Sequence, residues 1–560
     1  MPDHHTGTQV DQGDLLWGTI NRLKQFFLLE KQILAIIASY SVAIGLFSLI
    51  VPLTVQELVN TFALSIQPVM IMTLAGIMAV SLLFMATFRV FQALAVENMI
   101  QRLYTRIALG MTDLLPRLKE ESFHPRSANY FLEAEFLPRA LVALVADLFN
   151  VAVTGSIGMT ILVLYHPYFL IFNGVLAGGF VLLLIVLGRG GFAITLKVSD
   201  LNYEMLAWLQ DIAQNLPHFK ATASTSLLIK KTDRIVHDYV LARRTRSDIL
   251  TRTQYRGAGI WQAIGHSSLI GLAGWLLASG QITLGQFVAA EVIVGSLLAA
   301  MDTVARRMYA VYFAFTSLQQ MAKMFALPKE EAAEKLRVCV PDFGAYGGVR
   351  LTCKNVSFAS SHAEPVFDRL NLDVEPGEKV AIFSRSTTGK TALAHVLAGL
   401  YTPTHGIVRY NDIDLRYLSM ESLAACRGLV LDSRLSLFSG TLEENITMCR
   451  GGIRYEDIQW ALQFTGLDED VAGLPEGQQT RITAGGKIFP SSFILRLLVA
   501  RAIVTRPRVL IFDGTLHGMP PTTRELILRR LCSKEEPWSV IFVSNDPGLT
   551  AQVDRRIMLD

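Results

Sequence analysis

Cysteine is scarce in this chain, charge is thin, and no secretory leader is visible. The five cysteines among 560 residues (Cys339, Cys353, Cys426, Cys449 and Cys532) sit in the C-terminal part at spacings that match no zinc pattern. That argues against a disulfide scaffold or zinc module and for unpaired thiols in a reducing compartment, which places the C-terminal domain in the cytosol. Charged residues make up 18% of the chain and the net charge is +3, a balance that gives no reason to expect a nucleic-acid partner. The N-terminus lacks a basic segment followed by an apolar core and a small-residue cleavage site, so no removable signal peptide is expected. What is abundant is apolar: 51% of residues, with a mean hydropathy of +0.37. The chain is too long for one core and too apolar to be wholly soluble, so a membrane half and a soluble half are expected.

Apolar stretches of roughly membrane-crossing length run over 33–51, 69–88, 140–164, 169–187, 260–278 and 287–300, which predicts six transmembrane helices. The turns at 61–68, 165–168 and 279–286 carry no lysine or arginine. The opposite ends hold Arg89, Arg102, Arg106, Arg117, Lys119, Arg126 and Arg139, then a second basic group from Arg189 to Arg256, and finally Arg306 and Arg307. By the positive-inside rule both termini face the cytosol. The two inner segments, 89–139 and 189–256, mix charge with helical apolar spacing and read as membrane helices that continue into the cytosol. Ahead of the first span, Leu15, Leu16, Trp17, Ile20, Leu23, Phe26 and Phe27 recur at helical spacing, suiting a helix in the membrane interface or one packed on protein. Within the spans, Glu291 either faces a wet cavity or is paired in the bundle, and His266 and Asn150 are expected to be interhelical hydrogen-bond partners.

The resulting division is an N-terminal cytosolic or interfacial segment (1–32), a six-helix membrane domain with long cytosolic loops (33–327), a polar linker (328–347) and a soluble domain (348–560). In the last, short β-branched or apolar runs (379–383, 509–512, 539–543) alternate with helix-like segments, which predicts a mostly parallel sheet covered by helices. The first run opens into Ser384, Arg385, Ser386, Thr387, Thr388, Gly389, Lys390 and Thr391, followed by a helical pattern. That is the strand, loop and helix context of a phosphate loop, in which backbone NH groups curl round an anion, a lysine meets the terminal phosphates and a hydroxyl holds magnesium.

Six spans, long inner loops and this C-terminal domain together resemble a half-transporter of the ATP-binding cassette (ABC) exporter family over essentially the whole chain. The words that carry the resemblance are Gly377-Glu-Lys-Val-Ala-Ile-Phe, Phe438-Ser-Gly-Thr-Leu-Glu-Glu-Asn-Ile446, Ala500-Arg-Ala502 and Arg506-Pro-Arg-Val-Leu-Ile-Phe-Asp513. The resemblance implies an α-helical membrane domain followed by an α/β phosphate-loop domain, with residues 384–391 binding ATP and with Thr391 and Asp513 at Mg2+. Asp513 reads equally as a plain strand-end carboxylate.

Measured against the family's pattern, several positions carry other residues. The first and middle glycines of the phosphate loop are Ser384 and Thr387, whose side chains penalise positive φ. The glutamate that polarises the attacking water is Gly514, which has no group to accept a proton, and the histidine that contacts the terminal phosphate is Asn545. A later loop aspartate falls at Pro520, the metal-touching glutamine at Asp432 or Ser433, and the adenine-stacking aromatic near Ser360. The Leu-Ser-Gly-Gly-Gln signature lines up with Phe489, Pro490, Ser491, Ser492 and Phe493. The expectation is an exporter subunit with feeble ATP turnover of its own. It would work as a homodimer or, preferably, a heterodimer with a second half-transporter in the bacterial inner membrane, in contact with lipid and, on analogy with polypeptide-secreting exporters, a periplasmic adaptor, with the loop regions 122–136 and 209–222 transmitting motion. No appended peptidase domain is expected. A non-hydrolysing scaffold or sensor of the same fold is the alternative.

Overall fold

The computed structural model describes residues 30–62, 68–118, 125–222, 225–329, 347–359, 365–384, 387–431, 437–486 and 488–559. Contacts divide the chain into two units, Met1–Glu330 and Glu331–Asp560. The expected N-terminal interfacial helix, nearly all of the linker, and Ser360, Asp432 and Ser433 lie outside the described residues.

The first unit is helical. Its main elements are Lys31–Ser48, Ile50–Phe62, Pro68–Leu114, Glu133–Tyr165, Tyr168–Leu187, Gly191–Gln214, Thr225–Ser247, Arg256–Ala278 and Leu284–Phe325. The last of these is the spine against which Glu133–Tyr165, Ile50–Phe62 and Arg256–Ala278 pack. Its start is fixed locally by a capping box: the Gln286 amide donates to the Thr283 hydroxyl at 3.1 Å and the Thr283 amide donates to Gln286 Oε1 at 2.8 Å. Close approach along the spine relies on small residues; a Cβ at Gly158 would lie 3.0 Å from Ile293, and one at Gly265 would lie 2.8 Å from Leu298. Between Thr225–Ser247 and Arg256–Ala278 the chain passes through an eight-residue π-helical segment, Asp248–Tyr255.

Among the described residues, five helical stretches are long and apolar enough to cross a membrane: Lys31–Thr61, Pro68–Arg117, Asn129–Tyr165, Tyr168–Leu187 and Leu284–Phe325. The remaining predicted span, 260–278, is helical over 23 residues as Arg256–Ala278 but is not among these five. Gln262, His266, Ser267 and Ser268 dilute its apolar content. Length and apolarity therefore support five of the six expected spans.

The polar residues singled out inside the spans pair between helices. Asn150 and Gln92 exchange side-chain hydrogen bonds at 2.9 and 3.1 Å, and Gln92 also donates to Ser41 at 2.8 Å. His266 Nδ1 lies 2.8 Å from Glu291 Oε1. Farther along, buried Glu133 has both oxygens occupied, one by the Tyr203 hydroxyl at 2.8 Å and the other by the Ser317 hydroxyl. Such pairing is what an apolar surround demands of polar side chains.

The second unit is built on a five-stranded sheet in the order β11-β3-β10-β9-β6, with every neighbouring pair parallel. The strands are β3 (Lys379–Ser384), β6 (Arg427–Val430), β9 (Val509–Asp513), β10 (Ser539–Val543) and β11 (Arg555–Leu559). Beside it stands an antiparallel sheet of order β2-β1-β4-β5, formed by β1 (Leu351–Phe358), β2 (Phe367–Val374), β4 (His405–Tyr410) and β5 (Ile413–Asp414). A short pair, β7 (Gly440–Thr441) and β8 (Arg481–Ile482), completes the strands.

Apart from Asp513 and Ser539 at their ends, β9 and β10 are apolar throughout because both faces are covered. Leu510, Phe512, Val540 and Phe542 enter one core with the helices Tyr455–Thr465, Ser491–Ile503 and Pro521–Leu531. Val509, Ile511, Ile541 and Val543 enter the other, with Thr387–Leu397 and the antiparallel sheet. The register is clamped at its start by buried Lys379, whose Nζ donates to the carbonyls of Trp538 at 2.6 Å and Glu536 at 3.0 Å. Burial holds this ammonium below its ordinary pKa.

The four described cysteines are free, and burial pushes the thiols of Cys353 and Cys532 up to about 12 and that of Cys426 up to about 11. Burial holds these three as inert thiols.

Trp538 is 2% exposed, and its indole donates to Leu531 O at 3.0 Å. Trp538→Ala should therefore destabilise the second unit by about 3–5 kcal/mol, read as a lowered denaturation midpoint by circular dichroism; an unchanged midpoint would contradict this packing.

Candidate functional site

Strand order decides where the chemistry-bearing residues meet. β10 lies between β3 and β9, with Val543 opposite both Ile382 and Asp513. The Ser544 amide donates to Ile382 O at 3.1 Å, and the Gly514 amide donates to Val543 O at 3.1 Å. The carboxyl ends of three adjacent strands thus bring together the loop after Ser384, the Asp513-Gly514 step and the Ser544-Asn545 step. In open parallel sheets this edge is where ligands bind.

β3 ends at Ser384 and the helix Thr387–Leu397 begins two residues later; Arg385 and Ser386 lie outside the described residues. Thr387 and Thr388 open the helix. Gly389 is buried, Lys390 half-buried and Thr391 exposed. The amide groups of the first helical turn and the helix dipole make this end positive, a ready anion site. Asp513 is 4% exposed at the end of β9, and Asn545 is exposed beyond β10. Gly514 adopts a left-handed conformation, φ 62° and ψ −4°, which a residue with a Cβ takes up at a cost.

Residues 367–517 match the ABC transporter family profile. Over the described fold as a whole, the chain matches a solved bacterial Atm1-family ABC exporter with ATP bound, at a TM-score of 0.79, covering 93% of each chain at 18% identity. The chain has the fold of an ABC exporter half-transporter. In sequence, it is 32% identical over 309 residues to a multidrug efflux ATP-binding/permease protein of Mycobacterium bovis (strain BCG / Pasteur 1173P2), a match covering 53% of this chain and 24% of the relative. It is 24% identical over 360 residues to the alpha-hemolysin translocation ATP-binding protein HlyB of Escherichia coli O157:H7, covering 64% of this chain and 50% of the relative. The chain thus spans between a quarter and a half of the length of these curated relatives.

Within this ABC exporter fold, Phe489–Phe493, the stretch expected from the sequence at the signature position, lies at the start of the helix Ser491–Ile503. Its N-cap is Pro490, which supplies no side-chain hydrogen bond. Phe493 is 5% exposed and stacks on Phe489 with ring centroids 4.5 Å apart and planes 12° apart. These two rings anchor the turn in the core.

The same helix is tied to the Phe438–Ile446 word by a contact that sequence reading assigned no role. Asn445 is wholly buried; its side chain accepts from the Phe438 amide at 3.1 Å and donates to the carbonyls of Phe438 at 2.9 Å and Thr441 at 3.1 Å. Arg501 Nε donates to Asn445 O at 2.5 Å and Nη2 to Asn445 Oδ1 at 2.9 Å, while Arg450 donates to Arg501 O at 2.9 Å. Burial, reinforced by neighbouring Arg450, lowers the Arg501 pKa to about 10. The signal was present as an asparagine and an arginine inside apolar words, but their partnership crosses 56 residues.

Asn445→Ala removes four bonds at a site closed to water and should cost about 3 kcal/mol, since each buried group left unpaired costs about 1–3 kcal/mol. The readout is the chemical-denaturation midpoint of the protein. Gly514→Glu, by contrast, places a Cβ at positive φ and should destabilise by about 1–2 kcal/mol, while leaving ATP hydrolysis by the chain alone essentially unchanged because Pro490 and Phe493 remain. A phosphate-release assay in which Gly514→Glu alone gave brisk turnover would overturn that assignment.

Proposed function

We propose that this chain is one half of an ABC-type exporter, contributing a six-helix membrane half and a cytosolic ATP-binding domain with little or no hydrolytic activity of its own. The observation that carries the reading is the retention of Gly389, Lys390, Thr391 and Asp513 at one sheet edge together with Gly514, Asn545 and the Phe489–Phe493 turn at the positions where the family's hydrolytic groups stand. These retained residues fit a magnesium nucleotide: Gly389 and the helix amides suit phosphate, Lys390 the terminal phosphates, and the Thr391 hydroxyl and the Asp513 carboxylate a hard cation. Bound ATP would supply the energy for bringing two such domains together.

Six spans remain the reading of the first unit. The 23 residues of Arg256–Ala278 reach about 35 Å at 1.5 Å per residue, enough for a hydrocarbon core of about 30 Å. The basic residues at alternate ends support an orientation with both termini and the ATP-binding domain on the cytoplasmic side of a bacterial inner membrane. A partner is supported by Pro68–Arg117, a 50-residue helical stretch whose most apolar window has no residue buried within this chain; lipid and a second chain would cover it. Because a homodimer would hold two sites with the same substitutions, the preferred partner is a different half-transporter. A periplasmic adaptor belongs to the same proposal, on analogy with bacterial exporters that secrete polypeptides.

Two measurements test this. Purified protein in lipid should release phosphate from ATP no faster than its Lys390→Ala variant; brisk hydrolysis abolished by that change would refute the proposal. Affinity purification from membranes should recover a second half-transporter. Recovery of the chain alone, with no nucleotide-dependent change, would favour the scaffold or sensor instead.

A further inference from the structure

The helices Tyr168–Leu187 and Arg256–Ala278 run side by side, and their basic ends meet. A Cβ on Gly257 would clash with Leu187, and one on Gly188 would lie 3.0 Å from Gln254 Nε2. Arg189 follows the first helix and Arg256 opens the second, so contacts between their chain neighbours bring the two arginines to one junction. Arg252, one turn before Arg256, belongs to the same end.

Several arginines near the membrane ends are compensated by acids. Arg106 lies 2.9 Å from Glu30, Arg306 2.8 Å from Asp302 and Arg307 3.2 Å from Asp147. Arg189 and Arg256 are exposed, and among the described residues neither has an acid within reach. Arg252 meets Asp248 at 3.2 Å, so three guanidinium groups at this junction share one carboxylate. Topology alone asks only that arginines lie on this side of the membrane, not that they stay uncompensated.

From the junction an apolar seam runs along both helices. Ile260 and Ile264 succeed Arg256 at four-residue spacing, Leu182 and Val186 do the same on the other helix, and all four are exposed. The seam opens into a groove of about 380 Å³ whose lining includes Ile171, Val175, Trp261 and Ile264. Trp261 and Ile264 stand about 8 and about 12 Å along the axis from Arg256, inside the depth of about 15 Å that one leaflet of the hydrocarbon core occupies. A soluble phosphate would use the arginines and leave the seam; a neutral lipid would use the seam and leave the arginines.

We propose that this junction holds an anionic phospholipid of the cytoplasmic leaflet, its phosphate among Arg189, Arg252 and Arg256 and an acyl chain laid along Ile260 toward Trp261; this rests on the six-span reading above. Guanidinium forks suit phosphate oxygens, and a basic recess between membrane helices on the cytoplasmic side suits an acidic headgroup.

The test places the full chain in phosphatidylcholine bilayers containing a minor share of dibrominated phosphatidylglycerol or of dibrominated phosphatidylcholine, and reads quenching of Trp261 fluorescence as the difference from Trp261→Phe. Both probes carry the same brominated chains, so only the headgroup differs. Phosphatidylglycerol should gather at Trp261 at least about fivefold over the neutral lipid, the factor that one arginine near a membrane surface supplies. The preference should vanish in Arg189→Gln/Arg256→Gln and persist in Arg243→Gln/Arg244→Gln, whose exposed arginines lie on Thr225–Ser247, outside the seam. Equal quenching by the two lipids would overturn the headgroup site. A preference that survives the first pair of changes, or is lost with the second, would trace it to general surface charge and overturn the site as well. Quenching by neither lipid would mean that protein covers the seam, which also refutes the proposal. None of these outcomes touches the exporter reading, whose failure is seen separately in the co-purification and phosphate-release measurements.

Discussion

The second unit depends on the register in which β10 is held between β3 and β9. Side chains alternate across a strand, so Phe512 and Phe542 serve one core while Ile511 and Ile541 serve the other. A slip of one residue would exchange both sets. Lys379 opposes that slip from the far end of the sheet, its ammonium held by two carbonyls that only this alignment brings within reach. With the register fixed, Gly389, Asp513, Gly514 and Asn545 need no further device to gather, because each follows the carboxyl end of an aligned strand.

In the first unit the governing constraint is the apolar surround, which leaves no water to satisfy a stray polar group. Gln92, Asn150 and Ser41 answer it by bonding one another, while Glu133, buried in the helix extension before its span, is satisfied by two hydroxyl donors. These pairs also tie helices together at chosen points, which apolar packing in lipid does less selectively.

Much of this was legible in the sequence, for reasons that can be named. Apolar runs of membrane length declared the long helices, and continuous apolar runs at 509–512 and 540–543 declared strands covered on both faces. The strand-to-helix passage at Ser384 and Thr387 was equally plain. The antiparallel sheet was not, because β1 carries Lys354 and Asn355 in its middle and β5 is two residues long, so neither gives a clean alternation. The union of Asn445 with Arg501 was invisible because periodicity reports only on near neighbours in the chain. Likewise Gly514 reads as a missing acid, yet only the backbone reveals its left-handed turn.

The π-helical segment Asp248–Tyr255 sets an azimuth. An inserted residue in a continuous helix advances everything after it by about 100°, so this widened turn decides which flank of Arg256–Ala278 meets the spine. Wholly buried Gln254, bonded to the Tyr312 hydroxyl at 2.5 Å, pins that widened turn in place. Were the segment to relax to ordinary winding, His266 and Trp261 would both rotate out of station by roughly that angle, and the helix would no longer offer the same flank to the spine.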